Sequence, residues 1–195
     1  MANLFIFQMF YALKVVNFLH LRHKNFTVKR IGLLSDTHGF VEPKAYDFFK
    51  DCDEIWHAGD FGNMETADAL GNIKPLRGVY GNIDDHKLRT VFPKHLKFRC
   101  EEVKVWMTHI GGFPGHYDAS VKPGIFQDPP TLFISGHSHI LKVIFDKKLN
   151  LLHINPGAAG NHGFHKVKTL VRFTIDGANI RDLEIMEIER KQIVV

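Results

Sequence analysis

The sequence predicts an α/β protein in which two β-sheets pack face to face. Three observations carry that expectation. Residues 29–82 alternate short apolar runs with amphipathic stretches in a β-α-β-α-β rhythm, which favours parallel strands joined by right-handed crossovers. Residues 103–186 hold six further strand-like runs, and Asp176-Gly177 between the last two is a strong hairpin turn. At 195 residues the chain is sized for one domain that buries both faces of a sheet.

The first 28 residues stand apart. Residues 4–21 are largely apolar, but Gln8, Tyr11, Lys14, Asn17 and His20 interrupt them at every third position. Each step of three falls about 60° short of a full helical turn, so these polar positions wind round a helix instead of lining one face. That argues against an amphipathic anchor, and Lys14 argues against a membrane-spanning helix. The pattern also lacks the leading positive charge and small-residue cleavage site of a signal peptide. We expect residues 1–28 to be an N-terminal extension, non-native or disordered, with a natural start near Val28 or Lys29, and residues 29–195 to be the functional domain.

Charge narrows the partners. Lys14, Arg22 and Lys24 place three of the four net positive charges in that first segment, so the surplus from Lys29 onward is a single charge. No Lys/Arg cluster follows, which removes the electrostatic case for specific nucleic-acid binding. Attraction for an anionic substrate then needs a local charge such as a bound metal. Cys52 and Cys100 are too few for a thiolate zinc site and give no evidence of a disulfide framework, so a reducing compartment, the cytoplasm, is expected.

Within the domain, residues 30–34 form an apolar run that stops at Ser35-Asp36-Thr37-His38-Gly39. This reads as a buried strand that delivers Asp36 and His38 on one side of its carboxyl end, since strand side chains alternate with a period of two. Pro43 suits a first helical turn, so residues 42–51 read as a helix with Ala45, Phe48 and Phe49 inward. Residues 54–58 form a short strand ending in Gly59-Asp60. A second helix covers residues 63–70, with Asn63 as its cap and Gly71 as its stop. Residues 76–80 form a third strand ending in Gly81-Asn82. Further strands follow at 103–108, 131–135, 142–145, 151–154, 170–175 and 179–186, the last three with hairpin-like spacing. They predict a second, more antiparallel sheet. Residues 111–130 make a long Gly/Pro-rich connection, and connections of that length tend to be functional.

The strand ends share one chemistry. Asp36 and His38, Asp60, Asn82, His109, and His137 with His139 place seven oxygen or imidazole donors at five strand ends. Ligands of such sheets gather at these ends. Carboxylate, carboxamide and imidazole without thiolate suit manganese, iron, zinc or nickel better than calcium or a structural zinc. Seven donors exceed the needs of one ion, so two divalent ions sharing a carboxylate fit better. A pair about 3.5–4 Å apart activates water and stabilises the attacking and leaving oxygens in displacement at phosphorus.

Ser-Asp-x-His-Gly, Gly59-Asp60, Gly81-Asn82, the lone His109 and Gly136-His137-Ser138-His139, in that order, resemble the calcineurin-like metallophosphoesterases. The nearer likeness is to their small YfcE-like phosphodiesterase branch, and it includes the late Asn155-Pro156-Gly157 loop. The resemblance implies a two-sheet mixed β sandwich flanked by helices, with the site at the sheet edge. It implies Asp36, His38, Asp60 and His139 on one ion, and Asp60, Asn82, His109 and His137 on the other, with Asp60 bridging. Asp60, Asn82 and His109 are expected to carry the catalysis, hydrolysis of a small phosphate ester by a metal-activated hydroxide. Manganese is the foremost metal and nickel, zinc or iron are alternatives.

One departure matters. Many relatives carry histidine directly after Gly-Asn, where this chain has Ile83. An alkoxide leaves poorly without a proton donor, whereas an aryloxide leaves readily, so activated or aryl phosphodiesters are the expected substrates. The rival to an enzyme is an interaction scaffold, since the phosphoesterase-like subunit of retromer is a binding subunit with a degenerate site. All seven donors are intact here, which favours the enzyme. Membrane attachment is not expected, and a sheet edge or helix face leaves room for a homodimer.

Other polar residues are weighed against ordinary roles. His57 reads as packing, with a hydrogen bond behind the ligands as its rival role. Asp84 and Asp85 read as helix caps as readily as catalytic carboxylates. His116, Tyr117 and Asp118 in the long connection are candidates for substrate contact, and His116 is the best stand-in for the missing donor. Residues 155–160 are small enough for backbone amides to approach a phosphate, and a tight turn explains them equally well. His162 and His165 stay unassigned, and His20, His23, His86, His95 and His153 read as packing or surface.

Overall fold

The computed structural model describes residues 27–190 and shows four helices flanking two mixed sheets in an αββα sandwich. The expectation for residues 1–28 lies outside the described residues apart from Thr27 and Val28.

The first sheet is built on β1 (Lys29–Leu34), β2 (Glu54–His57) and β3 (Leu76–Gly78), which are parallel. Its other side is β11 (Val167–Asp176) and β12 (Asn179–Glu189), antiparallel to their neighbours, in the order β12-β11-β1-β2-β3. The second sheet contains β4 (His95–Cys100), β5 (Val103–Thr108), β8 (Leu132–Ile134), β9 (Leu141–Asp146) and β10 (Leu151–Pro156), in the order β4-β5-β8-β10-β9. A small hairpin, β6 (Gly112–Phe113) with β7 (His116–Tyr117), sits in the long connection.

Two expectations about the sheets change. The second sheet is not the more antiparallel one, because each sheet has two parallel and two antiparallel pairings. The hairpin spacing of the last three runs holds only for β11 and β12. After β10 the chain leaves the second sheet, and β11 crosses to pair with β1. Local spacing gives no sign of this, since a turn and a crossover both begin with small polar residues.

Three apolar layers hold the sandwich. Ile31, Leu33 and Trp56 meet Val105, Met107, Ile134 and Ile154 between the sheets. The alternate residues of the first sheet, Leu34 and Ile55, face α1 (Lys44–Phe49), α2 (Met64–Ile73) and Leu88 of α3 (His86–Val91). On the far side, Trp106, Phe133 and Leu151 pack on Val121 and on Ile125 of α4 (Lys122–Gln127). The period of two in the strands therefore divides their side chains between two cores. Gly32 allows a close approach of helix to sheet: a Cβ there would lie 2.6 Å from the ring of Phe49. Burying a ring such as Phe49 stabilises the fold by roughly 1.5–3 kcal/mol.

The helices are shifted from expectation at their ends. At the start of α1, Ala45 and Tyr46 donate to the Glu42 and Pro43 carbonyls in three-residue steps, so the expected first residues, Glu42 and Pro43, form a turn. Asn63 does cap α2, accepting from the Thr66 amide at 2.9 Å, but the helix runs past Gly71 to Ile73. A Cβ at Gly71 would meet open space, so no close approach requires glycine there. The β4 strand was not expected, although Leu96 and Phe98 alternate with Lys97 and Arg99 as an edge strand does. Among the described residues no helix is long and apolar enough to cross a membrane.

Candidate metal centre

The loops after β1, β2, β3, β5 and β8 converge at one end of the sandwich. Asp36, His38 and His139 bring ligand atoms within 4.8 Å of one another, and so do Asp36, Asp60 and His109. Asn82 joins them through its Oδ1, 3.1 Å from His109 Nε2, and the His137 ring lies 5.2 Å from the His109 ring. Asn82 and His137 are exposed at the rim, whereas Asp36, Asp60 and His109 are buried.

The two carboxylates have matching environments. Asp36 Oδ2 accepts from the His137 amide at 3.1 Å, and Oδ1 lies 3.1 Å from His139 Nε2 and 3.9 Å from His109 Nε2. Asp60 Oδ1 accepts from the Ile83 amide at 3.1 Å, and Oδ2 lies 3.3 Å from His109 Nε2 and 3.8 Å from His38 Nε2. Asp36 Oδ1 is fully buried without a hydrogen-bond partner, an expensive arrangement that a cation would satisfy. Burial alone would lower the pKa of His109, but its bond to Asp60 and the charges of Asp36 and Asp60 outweigh burial and raise it. A field that holds a proton there also attracts a metal ion. Burial depresses the pKa of His38, which favours the neutral, ligating imidazole.

Asp36 and His38 do not converge through strand pleating, because β1 stops at Leu34. Asp36, His38, Asp60, His137 and His139 all adopt left-handed backbone, with φ of 56°, 49°, 59°, 69° and 58°. Such conformations cost roughly 1–3 kcal/mol each and persist where the surroundings over-determine them. The surroundings here are hydrogen bonds between loops: the Asp36 amide donates to the Gly59 carbonyl, His38 to Asp60, and Gly160 to Asp36, at 2.9, 3.1 and 3.0 Å. Gly136 is required by close approach, since a Cβ would strike Ser35 Oγ and come 3.1 Å from Asp36 Oδ2.

Residues behind the ligands explain several polar side chains. His57 is buried, stacks on Phe61 and bonds Thr37 Oγ1 at 2.9 Å, so it both packs and braces the first loop. Asp85 caps α3 through the Leu88 amide. Asp84 is no helix cap: buried, it accepts from the amides of Gly62 at 2.8 Å and Gly81 at 2.7 Å, tying the β2 and β3 loops together. Asn155 donates to the Gly136 carbonyl and accepts from the Gly157 amide. The amides of Ala159 and Gly160 are likewise spent on Ser35 and Asp36 carbonyls, so residues 155–160 brace the site rather than offer amides to a phosphate. Tyr117 donates to Asp146 at 2.9 Å, while His116 and Asp118 line a cavity of about 220 Å³ beside His137.

The sequence assigns no role to His162 and His165. Their rings lie 5.5 Å from His38 and 5.3 Å from His139, respectively. The crowding of histidines after Asn155-Pro156-Gly157 was the available signal.

Residues 30–178 match the family described as the calcineurin-like phosphoesterase superfamily domain. The chain belongs to this superfamily. A probable metallophosphoesterase of Methanothermobacter thermautotrophicus is 28% identical over 136 residues, covering 66% of this chain and 76% of the relative. Among solved structures, a Vps29 single mutant from Entamoeba histolytica superposes with a TM-score of 0.66 at 15% identity, covering 82% of this phosphoesterase-family chain and 99% of the other. A structure described as a novel archaeal phosphodiesterase gives 0.63 at 21% identity, with 82% and 99% covered. At these identities the structural matches establish the fold. Family and geometry together support a metal-dependent phosphoesterase site with two clusters of ligand-type residues.

Proposed function

We propose that this chain is a phosphodiesterase of the small YfcE-like branch. In this reading it uses two divalent ions, manganese foremost and nickel, zinc or iron as alternatives, to hydrolyse a small phosphate ester in the cytoplasm. The observation that carries it is the pair of buried carboxylates, Asp36 and Asp60, each pinned by one backbone amide and turned toward imidazoles. We assign Asp36, His38, Asp60 and His139 to one ion and Asp60, Asn82, His109 and His137 to the other, with Asp60 bridging. Asp60, Asn82 and His109 then carry the catalysis. The names of the archaeal phosphodiesterase and the probable metallophosphoesterase agree with this reading.

Two such ions, when bound, supply Lewis acidity that generates a nucleophile from water and offsets charge on the phosphoryl oxygens. The protein's own groups set the orientation. His109 Nδ1 bonds the Ala58 carbonyl at 2.8 Å, which fixes the proton on Nδ1 and leaves Nε2 facing Asp60 and Asn82. The Ile83 amide holds Asp60, but the Ile83 side chain is 46% exposed and has no proton to give a leaving oxygen. Aryl and other activated diesters therefore turn over better than alkyl monoesters. Ile83→His should raise monoesterase activity, and no gain would count against this account.

The direct test is aryl-phosphodiester hydrolysis by metal-stripped protein reconstituted with manganese, nickel, zinc or magnesium, with Asp60→Asn as control. Activity restored by metal and lost in the variant supports the enzyme. Inactivity with every metal would put a protein-interaction scaffold in first place.

A further inference from the structure

A second cavity, of about 380 Å³, opens on the other side of the rim and shares Asn82 and His109 with the metal centre. Its wall carries Arg89 and Lys94. Arg89 is held rigidly: its guanidinium lies 4.9 Å over the Tyr80 ring, with Nε donating to the Asp84 carbonyl at 2.7 Å and Nη2 to the Asn82 carbonyl at 3.0 Å. These partners are uncharged, so the cation is positioned without being neutralised. Lys94 is exposed, and among the described residues no carboxylate lies within ion-pair distance of either cation. The one acid of the wall, Asp118, accepts from the Ser120 amide and hydroxyl at 2.9 and 2.6 Å and keeps its charge, which partly offsets that of Lys94 and leaves one cation in excess. The smaller cavity on the other side differs: it sets one cation, Lys142, against the same Asp118 and spends that ammonium on the Phe113 ring at 3.4 Å.

We propose that the Arg89–Lys94 cavity is a subsite for a second anionic group on the substrate, so that the physiological diester carries a further phosphate on the arm that stays beside Asn82. This rests on the phosphodiesterase reading. Two cations against one carboxylate leave the concave wall positive, which concentrates an anion there, and such a field weakens as salt screens it. With a domain surplus of only one charge from Lys29 onward, attraction for a multiply charged substrate has to be local.

The test compares thymidine 3′,5′-bisphosphate with thymidine 5′-phosphate by calorimetry on the manganese-loaded full chain. The 4-nitrophenyl ester of thymidine 5′-phosphate, with and without a 3′-phosphate, is assayed in parallel. The bisphosphate should bind about tenfold tighter at low salt. That ratio should fall close to one in Lys94→Ala and be kept in Lys94→Arg. A ratio near one in the unaltered protein, or one that survives Lys94→Ala, overturns the subsite. If neither ester is cleaved with any metal, the diesterase reading fails separately, and the binding ratio still decides the subsite.

Discussion

The two halves of the metal centre are built differently. The first sheet contributes the charge: Asp36 and Asp60 are buried at the ends of β1 and β2, with Asn82 after β3. The second sheet contributes imidazole rings, His109 after β5 and His137 and His139 after β8. Neither half is complete. Two buried carboxylates facing no cation are costly, and three imidazoles on loops have nothing to orient them. The halves are instead cross-tied, the His137 amide to Asp36 and the His109 ring to the Ala58 carbonyl. Site formation is therefore coupled to the packing of one sheet on the other, and damage to either half should register in both.

The largest expected effect comes from removing charge from the first half. Asp60→Asn should lower kcat/KM on an aryl diester on the order of a thousandfold, with metal content measured alongside to show that ligands from both sheets are affected. Next comes the tie within that half. Asp84→Ala strands the buried amides of Gly62 and Gly81 and should cost about 3 kcal/mol of stability, measured by urea unfolding. An unchanged urea midpoint would show that the β2 and β3 loops are held without it.

The tie between the halves is probed by Gly136→Ala, whose Cβ would enter Ser35 Oγ. Metal affinity should fall about 10- to 100-fold while the fold survives, as for changes that act on ligands through their supports. Affinity equal to that of the unaltered chain would mean that the sheets need not approach so closely.

The smallest effect concerns His153 on the second sheet, which burial holds at a pKa of about 4, helped by Lys142. The unfolded chain takes up a proton near pH 6.5 that the fold refuses. The stability His153 contributes is therefore present above pH 6.5 and lost as pH falls toward 4, by about 2 kcal/mol at pH 5. His153→Gln should flatten the pH dependence of the urea midpoint over that window. His57, its counterpart on the first sheet, is also pushed well below its ordinary value by burial, so some slope should remain.

Much of this was legible in the sequence because strand ends announce themselves. Gly59-Asp60 and Gly81-Asn82 follow apolar runs, and the pairing of a small residue with a donor survived translation into structure. The inward face of α1 and the Asn63 cap were equally local and equally readable. Less was legible where a residue's role depends on a partner far along the chain. Asp84 reads in the sequence as a helix cap or a catalytic carboxylate because its contacts, Gly62 and Gly81, become neighbours only when β2 and β3 lie side by side. The crossing of β11 into the first sheet and the nearness of His162 and His165 to His38 and His139 were hidden for the same reason.

The sequence by itself determined the donor types, their order and their attachment to strand ends, since side-chain chemistry and strand periodicity are local properties. Only the tertiary structure decided which oxygen of each carboxylate is spent on a backbone amide and which faces the imidazoles. It alone also set the left-handed turns that aim those groups, and the separation of two cavities that share Ile110 and Asp118. The physical reason is that a buried charge is tolerated only where distant loops supply its hydrogen bonds, and those loops meet only when the two sheets pack.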